Sequence, residues 1–242
     1  MISIAMTCYN QGHFINDAIQ SIIDQTFKDW ELVIVDDAST DNSIQVINHC
    51  INKFGIAKSV KIVKHRENEG YGSSLGDAII MSNGPLIAIV DSDDTLCDIN
   101  ALQLCIDTHL KNPDVAMTYS NYNECDRNLN VRKTYRTKQI PEGKTYLDGG
   151  IRVSHLKVLK RDNYGMTTGI NPRLRQSVDK DLTLRMEETG KLLFIDKVLY
   201  NYRKHDTNLS LTINKKTKEY QKMVSEGRKQ LYEDAKKRRG LI

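Results

Sequence analysis

The acid run Asp91-Ser92-Asp93-Asp94 directly follows an apolar stretch at 86–90, so its carboxylates are presented at the end of a predicted strand. Oxygen ligands of this hardness suit Mg2+ or Mn2+, which usually take one or two carboxylates together with substrate phosphates. An Asp-x-Asp can also be no more than a helix cap. A second acidic pair, Asp36-Asp37, ends another apolar stretch and leads into Ala38-Ser39-Thr40-Asp41. One cap needs one acid, and the other carboxylate is suited to accept a hydrogen bond from a nucleobase ring N–H. Asp179 opens a predicted helix, where it is either an acid favoured by the helix dipole or a base. Asp181 and Arg185 are spaced as an ordinary exposed helix pair. His205, close to Arg203, reads as a surface or capping histidine or as a ligand.

Elements of alternating type must position these groups. Residues 2–6 are apolar and stop at Thr7-Cys8-Tyr9-Asn10, after which Ile15, Ala18, Ile19, Ile22 and Ile23 recur at helical spacing. The order strand, loop, helix repeats at 32–35 and 43–52, then at 60–63 and 74–81, and residues 86–90 predict a fourth strand. Such apolar runs are buried on both faces, and helices between them imply right-handed crossovers and a mostly parallel sheet of α/β class. Ligands of such sheets bind beyond the carboxyl ends of the strands. The polar clusters at 7–10, 36–37, 65–71 and 91–94 all face that crevice. Further on, the pattern predicts a helix from 100 to about 111, a strand at 115–119, an irregular stretch over 123–150, a helix at 178–188, strands at 192–195 and 199–202, and a last helix at 215–238. No repeat or linker is evident.

At 242 residues, with 39% hydrophobic and 27% charged positions, the chain suffices for one sizeable core. It has no apolar stretch of about 18 residues to span a bilayer. Its first residues carry no basic region ahead of an apolar one, so a cytoplasmic location is expected. The five cysteines are odd in number and form no Cys-x-x-Cys pair. That excludes a zinc ribbon or disulfide scaffold and predicts buried small hydrophobes; Phe27 and Trp30 are expected in packing. Residues 214–242 hold ten Lys/Arg against four Asp/Glu, a net +6, which leaves 1–213 at −2 within a total of +4. A nucleic-acid-binding domain would spread its basic residues over a face, so no nucleic-acid partner is expected. In the tail Tyr220, Met223, Val224, Gly227, Leu231 and Ala235 share one helical face. That stripe either packs on the domain or gives peripheral contact with an anionic surface at the inner face of the membrane.

Taken in order, Thr-Cys-Tyr-Asn-Gln at 7–11, the run from Ile22 through Val-Ile-Val-Asp-Asp-Ala-Ser-Thr-Asp at 33–41, and Val-Asp-Ser-Asp-Asp at 90–94 resemble the GT-A glycosyltransferases of family 2. The likeness continues at 178–186 and 199–210. It implies a GT-A domain over 1–213, with a nucleotide-sugar half at 1–98 and an acceptor half at 99–213, and a basic amphipathic C-terminal helix at 214–242. It also implies an inverting transfer that uses Mn2+ or Mg2+. Position by position, Thr7 and Tyr9 fall around the nucleobase, with Asp37 accepting from a ring nitrogen as in members that use UDP-sugars. Asp91, with Ser92 beside it, falls at the ribose and a water-mediated metal contact, and Asp93 falls at the direct metal ligand. Asp179 stands where the family keeps its base, and His205, with Arg203 beside it, where many members place a further metal or diphosphate contact.

Two departures stand out. Val178 replaces a frequent Glu, and Leu75 and Gly76 replace a frequent Arg and Asn, so that a diphosphate or sugar contact is either missing or supplied by Arg66. The expected activity is transfer from a UDP-linked sugar to a hydroxyl of a glycan or lipid-linked acceptor, in cell-surface polysaccharide biosynthesis. Two alternatives are a sugar-1-phosphate nucleotidyltransferase, for which the single glycine within 7–12 is a poor phosphate loop, and a catalytically inactive sugar-nucleotide or glycan-binding module.

Overall fold

Residues 1–172, 174, 176–208 and 217–242 are described by a computed structural model. The β-branched runs near the start form β1 (Ile2–Cys8) and β2 (Trp30–Asp36), both almost wholly buried. They pair in parallel, with β3 (Val60–Lys64) beyond β2 and β4 (Leu86–Ile89) beyond β1. Helices α1 (Ile15–Ile23), α2 (Ser43–Phe54) and α3 (Tyr71–Ile80) connect them. The stripe predicted for α1 is its buried face, Ile15, Ala18, Ile19 and Ile22. Gly55 ends α2 in the left-handed conformation (φ 65°), which an L side chain adopts only with strain.

Alternate strand residues divide between two apolar clusters, because successive side chains point to opposite faces. Ile4, Met6, Leu32 and Ile34 pack with α1 and α2, while Ala5, Val33 and Val35 pack with Leu75 and Ile79 of α3. Each fully buried aliphatic side chain contributes roughly 1.5–3 kcal/mol.

The second half mixes strand directions. With β5 (Thr95–Leu96), β6 (Val115–Cys125), β7 (Val131–Tyr135), β8 (Lys157–Lys160) and β9 (Lys191–Arg203), the sheet runs β3-β2-β1-β4-β8-β6-β9-β5, with β7 paired to β6. β8, too short to leave a periodic signal in the sequence, enters antiparallel between β4 and β6. β9 is one strand where two are expected at 192–195 and 199–202; shifts in its parallel register with β6 absorb the polar residues between. β5 pairs with β9, and β7 folds back on β6 within the stretch read as irregular. Helices α4 (Ala101–Lys111), α5 (Arg161–Gly165) and α6 (Val178–Glu187) complete this half.

The C-terminal helix (Lys218–Arg238) buries Val224, Leu231 and Ala235, and Ala235 joins the apolar cluster that contains Leu182 and Leu184 of α6. Arg238 donates to both carboxylate oxygens of Glu188 at 2.8 Å, and Arg239 pairs with Glu187 at 2.9 Å. Half of the stripe is thus buried, while Met223 and Gly227 remain exposed. The 213/214 boundary, the predicted helix start at 215, and Leu209 and Ser210 lie outside the described residues. No helix among the described residues is long and apolar enough to cross a membrane. Trp30 is core and Phe27 packs against it. Four cysteines are buried as expected, but Cys97, beside the short β5, is exposed.

Candidate functional site

The carboxyl ends of the parallel strands and one late helix converge on a cleft of acids. β4 ends at Ile89, and the next residues turn back toward β5. In that turn Asp91 is half-buried: its Oδ1 accepts from the Tyr71 hydroxyl at 3.1 Å, and its backbone N–H donates to the Tyr200 hydroxyl at 3.0 Å. Burial, with the neighbouring Asp93 charge, pushes the Asp91 carboxyl up to about 7. Asp94 is fully buried and accepts the Arg203 backbone N–H at 2.7 Å, and burial together with Asp93 and Asp91 raises its carboxyl well above the usual range. Ser92 is buried between them.

Asp93 is partly open. His205 Nε2 lies 2.9 Å from Asp93 Oδ2, and the Asn208 amide donates to the same oxygen at 3.1 Å. His205 is fixed in turn by Thr207 at Nδ1 (2.8 Å), by Asn208 Oδ1 accepting its backbone N–H (2.6 Å), and by the Phe14 ring at 4.3 Å. The structure therefore brings together Asp93 and His205, residues 112 apart in the chain. Asn208 and Phe14 went unnoticed in the sequence because an amide and a ring near a loop carry no pattern.

Arg203 is different. Its guanidinium donates to the Asp93 carbonyl, the Arg127 carbonyl and Asp17 Oδ2, each at 2.8 Å, and it packs on Phe14. Buried with all these donors engaged, it clamps the acid turn to α1 and to the turn after β6. Arg203, expected at the nucleotide sugar, thus makes three contacts within the protein through its guanidinium. The Asp181–Arg185 pair also departs from expectation: Arg185 Nε reaches Asp181 Oδ2 at 2.9 Å, but Asp181 is buried, so the pair is internal.

Asp179 lies in the first turn of α6 with its side chain about half exposed. The buried Lys157 of β8 holds its ammonium 3.9 Å from Asp179 Oδ2 and also feels the Asp91 charge; burial lowers the Lys157 pKa. His155, two residues earlier, is pulled down to about 4 by burial and then by Lys157, so it is neutral, and its Nδ1 has no hydrogen-bond partner among the described residues.

Thr7 lies at the end of β1 and Tyr9 just beyond it, exposed at the rim. Asp37 is buried and occupied: Oδ1 accepts from His65 Nδ1 and the Glu69 N–H, and Oδ2 from the Gly70 N–H, all at 2.8 Å. It anchors the loop after β3, and only Oδ2, with a single donor, retains capacity for a further one. His65 Nε2 also reaches Asp77 at 3.0 Å. Arg66 is exposed on this loop.

The acid turn fits a hard divalent cation. One ligand atom each from Asp91, Asp94 and His155 lie within 4.8 Å of one another, Asp93 flanks them, and the crowded charge that raises two of these carboxyls is what a dication relieves. Asp93 and His205 are in hydrogen-bond contact with each other, and Asp91, Asp94 and His155 form a second set of three beside them. His155 lies in a segment without periodicity and had no sequence signal.

A parallel first half ending in an acid turn, joined to a mixed second half with a late carboxylate, defines the GT-A class of fold. The solved structures agree. Staphylococcus aureus TarS 1-349 in complex with UDP superposes with a TM-score of 0.70 at 18% identity, covering 84% of this chain and 60% of that one. The mannosyltransferase PcManGT from Pyrobaculum calidifontis, in complex with GDP-Man and Mn2+, gives 0.66 at 15% identity over 86% of this chain and 58% of its own. The profile of glycosyl transferase family 2 matches residues 3–170, and the chain belongs to that family. It is 29% identical over 216 residues to a chondroitin synthase of Pasteurella multocida, a match that takes in 87% of this chain but spans only 21% of that relative.

Proposed function

We propose that the protein is an inverting, metal-dependent glycosyltransferase that moves a sugar from a nucleotide-diphospho-sugar, a UDP-sugar by preference, to a hydroxyl of a glycan or lipid-linked acceptor in polysaccharide synthesis. The observation that carries this reading is the meeting of the acid turn, His205 and Asp179 around one cleft of a family 2 fold. The polymer-forming relative and the UDP-bound neighbour support the direction of the assignment.

Thr7 and Tyr9 are placed to border the base, and Asp37 Oδ2 is the acceptor for its ring N–H. Asp91, held by Tyr71 and Tyr200, faces the ribose. Asp93 and His205, with Asp91, Asp94 and His155 close by, would hold Mn2+ or Mg2+, which when bound supplies positive charge against the leaving diphosphate. Asp179, exposed on the side of the cleft formed by α6, takes the acceptor proton as that oxygen attacks the anomeric carbon. Lys157 keeps the carboxylate oriented toward the cleft.

The test is release of UDP from candidate UDP-sugars by the purified chain with Mn2+ or Mg2+, then in excess EDTA, and for Asp93→Asn. Turnover should vanish in EDTA and in the variant, because a neutral amide is a poor ligand for a hard cation. Full activity in EDTA would rule the metal reading out.

A further inference from the structure

Beside the acid turn lies a second feature that the donor chemistry leaves unused. A cavity of about 260 Å³ is lined by Ser120, Tyr122, Tyr135, Arg136, Thr137 and Arg152 among others. That is below the roughly 300–1,000 Å³ of drug-sized sites and suits a group of one ring. Its lining holds two guanidinium groups and no carboxylate. Arg152 spends one N–H on the Tyr122 hydroxyl (2.9 Å) and lies 5.2 Å from the Tyr135 ring, which stacks on Tyr122 at 5.0 Å. The aromatic pair thus holds Arg152 in place while most of its donors stay open. Arg136 has no hydrogen bond or ion pair among the described residues. Both arginines are exposed and both line the same small opening, so an anion that enters meets two cations.

The charge distribution points the same way. Residues 127–152 carry seven Lys/Arg against two Asp/Glu, a net +5 in a body that is otherwise acidic. The cavity also adjoins the chemistry: the Tyr122 ring is edge-on to His155 at 6.2 Å, and His155 is the residue gathered with Asp91 and Asp94. A bound ring therefore sits one side chain away from the acid turn, in the half assigned to the acceptor.

We propose that this cavity is the acceptor subsite, and that it selects an acceptor whose sugar carries a negative charge, a carboxylate or a phosphate, through Arg136 and Arg152. The Tyr122–Tyr135 pair offers aromatic surface to the sugar, and Ser120 and Thr137 border it with hydroxyls. This rests on the glycosyltransferase reading for the meaning of "acceptor"; the anion site itself does not.

The experiment is a ligand-observed NMR titration of the full chain, saturated with UDP and Mn2+ so that the donor cleft is filled, using D-glucuronic acid, glucose 1-phosphate and neutral glucose. At least one anionic sugar should bind about tenfold more tightly than glucose, as a charge-assisted contact predicts. Arg136→Gln should lose about that factor and Arg136→Lys only part of it. Preference for glucuronate identifies a carboxylate acceptor, and preference for glucose 1-phosphate a phosphorylated one. Equal binding of all three sugars, or anion binding untouched in both Arg136→Gln and Arg152→Gln, overturns the proposal. UDP affinity, read separately on wild type and variants, should be unchanged; its absence in the wild type would count against the donor reading alone.

Discussion

At the residue scale the cleft separates carboxylates by what surrounds them. Asp94 is buried and Asp91 half-buried, crowded by each other and by Asp93; Asp93 is held by His205 and Asn208; and Asp179 is about half exposed with one ammonium 3.9 Å away. In the proposed mechanism an exposed acid on a helix apart from the loops at the strand ends meets the incoming hydroxyl. Asp179→Asn keeps shape and removes proton acceptance, so turnover should fall roughly 10²- to 10⁴-fold while UDP affinity stays within a factor of about two, since the side chain touches no nucleotide in this reading. Steady-state kinetics beside calorimetry separates the two quantities. Near-normal turnover would mark Asp179 as structural, and Asp181, buried and bound to Arg185, is a poor substitute.

At the element scale the loop after β3 depends on one imidazole. His65 bridges Asp37 and Asp77, and Asp37 in turn collects the Glu69 and Gly70 amides. Burial alone would lower the His65 pKa, but the hydrogen bonds to Asp37 and Asp77, with the Glu69 charge, outweigh it and raise the group above 6.5. A folded-state pKa raised above the unfolded value means stability that is fully present below about pH 6.5 and lost as pH climbs through the raised value. Wild type should therefore exceed His65→Gln in urea midpoint at about pH 6, and the gap should narrow toward about pH 9. A gap constant with pH would show that the ring acts only as a spacer.

Much at this scale was legible beforehand. The helical stripe of α1 and the apolar runs of β1, β2 and β4 are local patterns, and they are found where periodicity places them. β8 and the Arg203 clamp were not legible, since a four-residue strand has no room for a period and a buried arginine's partners come from α1 and the turn after β6. The candidate site divides in the same way: acids at strand ends stand out as a local pattern, whereas Tyr71, His155 and Tyr200 are brought to them by long-range neighbours.

For the whole molecule, the two halves are one sheet, so a ligand at the carboxyl ends of β1 to β4 should stabilise all of it. Binding to the native state raises the melting temperature by mass action. UDP with Mn2+ should raise it by several degrees at a concentration of about 100 times Kd, where linkage is worth about 2.7 kcal/mol, and GDP should raise it less. An equal or larger shift with GDP would reverse the base preference.

The insertion of β8 also shapes how the chain must assemble. Leu86 to Ile89 cannot complete their pairing until residues 157–160 arrive from far along the chain, and β5 waits longer still for Tyr200 and Asn201. Closing such long loops before any contact rewards them makes folding slow. Until then β4 presents an unpaired edge of Leu86, Ile87, Ala88 and Ile89, short but wholly apolar, and edges of that kind recruit other chains. A fragment ending near residue 150 would retain every loop at the carboxyl ends of β1 to β4 and yet aggregate, with light scattering rising at concentrations where the full chain stays clear; a monomeric, UDP-binding fragment would show that the parallel strands suffice without their late neighbour.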